Sequence, residues 1–210
     1  MIKKAIFFLC LFVTAIPASS QITAVTSNGD QVILYNDGTW KYTDKTESEN
    51  NKTDTNKTVF TKSKEASFLL KSNICNVGIN LNPKKWSFKK ATTNDDAEYS
   101  LQLKEKDAYG MLIAERIEVP LETLKSVALD NARNVAPDMK IVKEEYRVVN
   151  GATVLCMQMD GTTKGIKFSY LGYYFSSEKG SVQFVTFTSQ SLLKEYKQDL
   201  EDLLNGFVVL

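Results

Sequence analysis

The sequence predicts an α+β fold in which helices cover both faces of an antiparallel sheet, with a small β meander before it. Two segments, 121–135 and 190–205, have apolar residues at helical spacing. Four consecutive strands are expected between residues 139 and 189, because turn signals such as Asn150-Gly151 separate extended apolar runs. The last two of these strands are apolar at both odd and even positions. Since a sheet with one wet face alternates apolar and polar residues, both faces should be covered.

Residues 1–20 have the pattern of a cleavable signal peptide. Two lysines precede an apolar run from Ala5 to Ile16, and small residues lead to an expected cut before Gln21. The run is too short to span a bilayer comfortably, and an uncleaved anchor is the alternative. The sequence therefore predicts a periplasmic or secreted protein with no stable membrane insertion after cleavage.

The remaining chain divides into three predicted parts. Residues 21–43 have short apolar runs separated by Asn28-Gly29 and Asp37-Gly38, which predicts a three-stranded β meander. Residues 44–66 are polar and charged, with balanced signs, which predicts a disordered linker. Residues 67–210 are expected to form one α/β domain that ends in a helix.

Two details of that domain concern its helices. Pro120 stands where the first helix should begin, because the first helical position does not need a backbone N–H donor. Gly206 follows the last periodic residues and is expected to cap the final helix. After the final helix, Phe207–Leu210 are expected to form a short strand that returns to the domain.

Several segments between residues 70 and 210 resemble the PsbP-like fold, an α/β/α sandwich shared with DcrB-like bacterial envelope proteins. They are the NPKKW turn (82–86), the helix (121–135), the VNG hairpin (149–151), GIKFSYLGYYF (165–175), VTFTSQ (185–190) and LNGF (204–207). These are landmarks of a fold and none is a catalytic motif. The resemblance implies a scaffold that mostly binds other macromolecules, and fold analogy does not fix function. Residues 28–42 also resemble a short DGTW segment of exported bacterial proteins.

The composition argues against several function classes. The chain has no histidine, so the common Ser-His and Cys-His catalytic pairs are impossible. Its formal net charge of +1 becomes −1 when Lys3 and Lys4 leave with the signal peptide, which argues against nucleic-acid binding. No metal or cofactor motif is present, so we predict no catalytic residues, no metal and no cofactor. Asp95, Asp96 and Glu98 could hold calcium, but such a run is more often a solvated loop.

Two groups of residues are candidates for a site or a crosslink. Trp86, Tyr170, Tyr173, Tyr174 and Phe175 are expected to bring large aromatic surfaces to one region of the fold. They are either core residues or the lining of a groove for a peptide, lipid or glycan. Cys75 and Cys156 remain after signal cleavage, and they either form a disulfide or lie buried as separate thiols.

The predicted function is that of an exported, non-enzymatic binding or accessory module that acts on an envelope protein or assembly. The alternative is a carrier of a small ligand, lipid or glycan, which would use the aromatic group. A histidine-free enzyme is the remote alternative.

Overall fold

The computed structural model describes residues 22–25, 31–35, 39–42, 53–92, 94 and 96–210. The chain divides into two compact units, Met1–Thr46 and Glu47–Leu210. The predicted signal peptide, the turns at 28–29 and 36–38, and the first part of the predicted linker lie outside the described residues.

In the first unit, three strands form an antiparallel sheet in the order β1-β2-β3. They are β1 (Ile22–Val25), β2 (Gln31–Leu34) and β3 (Trp40–Tyr42). Val32 on the central strand is buried. A three-stranded sheet of this length buries little apolar surface.

The second unit is α+β, and its described residues contain two helices and two sheets. Its elements in chain order are β4 (Thr55–Phe60), β5 (Phe68–Lys71), β6 (Val77–Leu81), β7 (Trp86–Lys90), β8 (Ala97–Leu103), β9 (Ala108–Glu115), α1 (Leu121–Val135), β10 (Lys140–Val149), β11 (Ala152–Thr163), β12 (Ile166–Ser177), β13 (Gly180–Ser189), α2 (Gln190–Leu204) and β14 (Phe207–Val209). Neither α1 nor α2, the helices of this described part, has the length and hydropathy that a membrane span requires.

The large sheet has eight strands in the order β4-β10-β11-β12-β13-β9-β8-β7, and the small sheet has the order β14-β6-β5. The four consecutive strands of the sequence prediction form antiparallel neighbours in register, with Cys156 opposite Tyr173 and Tyr173 opposite Phe184. The sheet is mixed, because β4 pairs with β10 in parallel. The expectation of a purely antiparallel sheet is therefore wrong at this edge.

The strand β4 also corrects the predicted disordered linker over residues 44–66. Its side chains are mostly polar and exposed, which is why composition favoured disorder. Backbone pairing with β10 orders it: the Tyr146 N–H donates to the Asp54 carbonyl at 2.8 Å, and Asn150 N–H donates to the Phe60 carbonyl at 2.9 Å. Main-chain hydrogen bonds form whatever the side chains are. This strand therefore pairs without the alternating apolar pattern from which a strand is usually predicted.

The core consists of two clusters that draw on alternate residues of the same strands. One contains Cys156, Leu171 and Tyr173 with the buried side of α2, and the small sheet also packs into it. The other contains Met157 and Tyr174 with the buried side of α1. Successive side chains of a strand point to opposite faces, so the double apolar pattern of the late strands corresponds to these two clusters.

Gly206 has a different role from the predicted helix cap. The C-cap of α2 is Asn205, and Gly206 is absent from the glycines with positive φ. A Cβ at Gly206 would instead collide with the carbonyl oxygen of Asn80 on β6. The glycine is therefore required by the close approach of two backbones, where β14 turns to pair with β6.

We expect Gly206→Ala to lower the free energy of unfolding by about 2 kcal/mol or more, because the colliding atom is backbone and cannot move aside. Gly110→Ala is the matched control, since a Cβ there keeps 3.5 Å or more from its neighbours. The control should change stability by less than about 1 kcal/mol. Urea denaturation of both variants measures this, and equal effects would contradict the close-approach explanation.

Candidate functional site

The five predicted aromatic site residues do not share one surface. Trp86 and Tyr173 are buried in the cluster of α2, and Phe175 packs against that cluster. Tyr174 is fully buried in the cluster of α1, and Tyr170 packs, half-buried, at its margin. A single groove built from all five is therefore wrong, because alternate residues of β12 project to different faces.

One of the five, Tyr170, lines a substantial groove on the sheet. The groove has a volume of about 590 Å³ and lies over β7, β8 and β9. We call it the aromatic groove; its lining is Ser87, Phe88, Lys89, Asn94, Ala97, Ser100, Leu101, Gln102, Tyr109, Gly110, Met111, Tyr170 and Phe187.

Strand register explains why three rings gather there. Tyr109 on β9 is opposite Phe187 on β13, and Phe187 is opposite Tyr170 on β12. The rings of Tyr109 and Phe187 are stacked with centroids 5.4 Å apart, and Tyr170 meets Phe187 edge-on at 5.7 Å. These half-buried rings form a continuous aromatic strip across three strands.

Sequence reasoning missed Tyr109, Met111 and Phe187 as site residues. The sequence did indicate which of these residues share a face within a strand, because Tyr109 and Met111 are two residues apart, as are Val185 and Phe187. The register that places Tyr109 beside Phe187 was not visible, because β9 and β13 are far apart in the chain.

A second, smaller recess of about 230 Å³ adjoins the aromatic groove beside α1. The two share Asn94, Met111 and Tyr170 in their linings. Tyr174 lines the recess, and its buried hydroxyl has no hydrogen-bond partner among the residues that the structure describes. Burial raises the pKa of Tyr174, so its hydroxyl stays protonated and is a donor.

A buried charge network lies on the other face of the sheet, around Arg147. The Arg147 Nη2 is 2.5 Å from the Glu145 carboxylate, and its Nη1 donates to the Tyr173 hydroxyl at 3.2 Å. The Tyr173 hydroxyl donates in turn to Asn205 Oδ1 at 2.7 Å. The guanidinium also lies 4.5 Å from the ring centroid of Phe60 on β4. Strands β4, β10 and β12 and the end of α2 are thus joined through the side chains of Arg147 and Tyr173.

The network changes the pKa values of its members. Burial acts to raise the pKa of Glu145, but hydrogen bonds from Arg147 and Asn56 outweigh it, and the pKa is lowered. Burial raises the pKa of Tyr173 to about 12, although Arg147 acts in the opposite direction. Glu145 is therefore ionised and Tyr173 is neutral at physiological pH.

Of the two alternatives for Cys75 and Cys156, the structure has separate buried thiols and no disulfide between them. The Cys75 thiol lies 3.1 Å from the Glu115 carbonyl, at the end of β9. Cys156 lies in the middle of β11, opposite Glu145 and Tyr173. Burial raises the pKa of Cys75, and it raises that of Cys156 to about 11. Both therefore act as small apolar core residues.

The acidic residues considered for metal binding have other roles where the structure describes them. Glu98 accepts hydrogen bonds from the Ser72 hydroxyl at 2.6 Å and the Asn73 N–H at 2.7 Å, which fixes the loop after β5. Asp95 lies outside the described residues. Within those residues, no three Cys, Asp or Glu side chains form a group that could hold a metal ion.

Comparison with known proteins identifies the fold. The cyanobacterial PsbP protein (CyanoP) of Synechocystis sp. PCC 6803 is similar over 68% of this chain and 92% of that chain, at 11% identity and a TM-score of 0.53. The protein of unknown function PA94 from Pseudomonas aeruginosa matches 67% of this chain and 95% of its own, at 11% identity and a TM-score of 0.42. LpqN, involved in cell envelope biogenesis of Mycobacterium tuberculosis, matches 67% and 88%, at 11% identity and a TM-score of 0.43. No family model and no curated protein matches the sequence.

We expect the Glu145–Arg147 pair to make stability depend on pH. Glu145→Gln should cost about 3 kcal/mol near neutral pH, because it leaves the buried Arg147 without its counter-charge. The folded-state pKa of Glu145 lies below its unfolded value, so this contribution is complete above about pH 4.3 and is lost as the pH falls through the folded value. Urea denaturation of the unmodified protein and of Glu145→Gln across this pH range measures the difference between their free energies of unfolding. A difference that stays constant from neutral to strongly acidic pH would show that the carboxylate charge is not responsible.

We expect both described cysteines to be free and unreactive in the folded chain. Intact-mass spectrometry should give the same mass before and after reduction apart from adducts. A thiol reagent should label Cys75 and Cys156 slowly in the native protein and rapidly in denaturant, because burial withholds both access and the thiolate. Cys75→Ala and Cys156→Ala should each remove one site of labelling. A mass two units lower before reduction would mean that the two thiols pair.

Proposed function

Because the chain has a PsbP-like fold, we propose that it is an exported, non-enzymatic binding module of the cell envelope and that its ligand lies in the aromatic groove. The observation that carries this proposal is the size and lining of the groove. Its 590 Å³ lies within the range of sites for small molecules, and its aromatic strip remains half-exposed. The sequence of residues 1–20 supports export.

The chemistry of the groove favours an uncharged ligand with hydroxyl groups, which is a glycan. Only Lys89 carries a charge among the described residues that line it. The rings of Tyr109 and Phe187 offer flat surfaces for the C–H faces of a sugar. Amide and hydroxyl side chains on the walls, including Asn94 and Gln102, can both donate to and accept from sugar hydroxyls. A lipid would use the same rings but would leave these polar groups unpaired.

Few titratable side chains border the groove. A general acid or base needs a titratable side chain within reach of the ligand. In the described lining Lys89 is the charged residue and is exposed on β7, and the Tyr109 hydroxyl donates to the Asp107 carboxylate, which lies outside that lining, at 3.4 Å.

An accessory role toward an envelope protein or assembly is the second candidate, and the position of β7 favours it. Among the described strands, β7 pairs only with β8 and is an edge of the large sheet. Its residues Ser87, Phe88 and Lys89 line the aromatic groove. An extended peptide that added to this edge would place alternate side chains over the groove.

Binding to neutral oligosaccharides tests the first candidate. We expect titration calorimetry of the full chain to detect binding, and Gln102→Trp to weaken it at least tenfold, because an indole beside Tyr109 fills the groove. Ile166→Trp is the matched control, since Ile166 is exposed and lies outside the groove lining. If an extended peptide or a lipid micelle binds instead, and Gln102→Trp weakens that binding, the groove is the site but the proposed ligand class is wrong. Equal binding by both variants would remove the groove from the proposal.

A further inference from the structure

A second cavity of about 300 Å³ lies between α2 and the strands β10, β11 and β12. Leu171 lines it, whereas the adjacent Tyr170 lines the aromatic groove, so the two sites open on different faces of the sheet. We call it the basic cavity; its lining is Lys143, Glu145, Arg147, Cys156, Gln158, Leu171, Gln190, Leu193, Lys194, Lys197 and Glu201.

Positive charge is in excess around the basic cavity. Lys143 on β10 and Lys194 and Lys197 on α2 are exposed around it. None of the three belongs to an ion pair with another described residue. Lys194 and Lys197 are three residues apart on one helix, a spacing at which like charges repel. Such a cluster is unfavourable for the empty protein and becomes favourable when an anion is bound.

The two acidic residues of the lining do not balance these charges. Glu145 is held by the buried Arg147 at 2.5 Å, which neutralises both. Glu201 is then the one further carboxylate of the lining, against three lysines. The cavity therefore carries a net charge of two positive units at neutral pH.

The beginning of α2 adds to the positive potential. Gln190, the first residue of this 15-residue helix, lines the cavity. Ser189 makes no side-chain cap hydrogen bond, and the first turn has no acidic residue. The positive end of the helix dipole is therefore uncompensated beside the lysines.

Beside the buried Glu145–Arg147 pair, the deeper lining of the basic cavity is apolar. Cys156 and Leu171 are buried there, and Leu193 is half-buried on the facing side of α2. The volume is at the small end of the range for ligand sites. A ligand that fits both parts has one anionic group near the lysines and a short apolar body inside.

We propose that the basic cavity binds a small organic anion, a carboxylate or a phosphate monoester with a short alkyl chain. Its anionic group is held by Lys143 of β10 and by Lys194 and Lys197 of α2, and its chain packs on Leu171, Leu193 and Cys156. This site is independent of the aromatic groove, and it would give the module a second ligand on the opposite face.

Three probes with six carbon atoms each test the proposal on the full-length protein: hexanoate, hexyl phosphate and hexanol. We expect titration calorimetry to detect one or both anions, and hexanol to bind at least tenfold more weakly. The affinity of the anions should fall as salt is added, because exposed lysines are screened. Binding of hexanoate alone or of hexyl phosphate alone identifies the anionic group and supports the proposal.

A charge-matched pair of double variants locates the site. The double variant Lys194→Gln/Lys197→Gln should lower the affinity for the anions about tenfold or more, since hydrogen bonds to charged groups are lost. Lys57→Gln/Lys64→Gln is the control, because both lysines are exposed and lie outside the cavity lining. Circular dichroism should show both variants folded, since all four side chains are exposed. Absence of binding, equal binding of hexanol, or an equal loss in both double variants would overturn the proposal.

Discussion

The buried guanidinium of Arg147 is the constraint around which one edge of the domain is arranged. A charge in the interior is tolerated only when it is paired and its donors are used. Glu145 supplies the counter-charge, Tyr173 accepts from a second nitrogen, and Phe60 covers the guanidinium face. Phe60 lies on β4. The contact that covers the Arg147 guanidinium therefore also holds in place a strand whose mostly polar sequence buries little apolar surface. The hydroxyl of Tyr173 carries the connection on to Asn205 at the end of α2.

The position of the aromatic groove follows from the unequal cover of the sheet. Eight strands at a spacing of about 4.8 Å span roughly 34 Å, whereas one helix with its side chains is about 10–12 Å wide. On one face α1 packs with residues of β11, β12 and β13, including Met157, Tyr174 and Val185. Among the described residues, β7 and β8 contribute none to this cluster, and β9 contributes only Met111 at its margin. The cluster of α2 and the small sheet extends further, because it includes Trp86 on β7, Leu101 on β8 and Leu112 on β9.

Much of this fold could be predicted from the sequence, because its strands and helices have strong local signals. The hairpin at Asn150-Gly151, the helix after Pro120 and the double apolar pattern of β12 all lie where predicted. The site could be predicted only in part. Tyr170 was among the candidates, but its neighbours Tyr109 and Phe187 come from strands whose pairing depends on long-range register. The strand β4 could not be predicted, since backbone hydrogen bonds, a side-chain hydrogen bond from Asn56 and the contacts of Phe60 hold it, and these leave no periodic apolar pattern in the sequence.

The parallel pairing of β4 with β10 has a consequence for the order of folding. Asn56 and Glu145 are in contact although 89 residues separate them, so this edge cannot form until β10 is available, more than half-way along the unit Glu47–Leu210. The central hairpins need only short loops to close, and their contacts form at a lower entropic cost. A chain that crosses a membrane from its N-terminus presents β4 first and β10 much later. The first strand of the domain to arrive would then wait unpaired until β10 has followed it across.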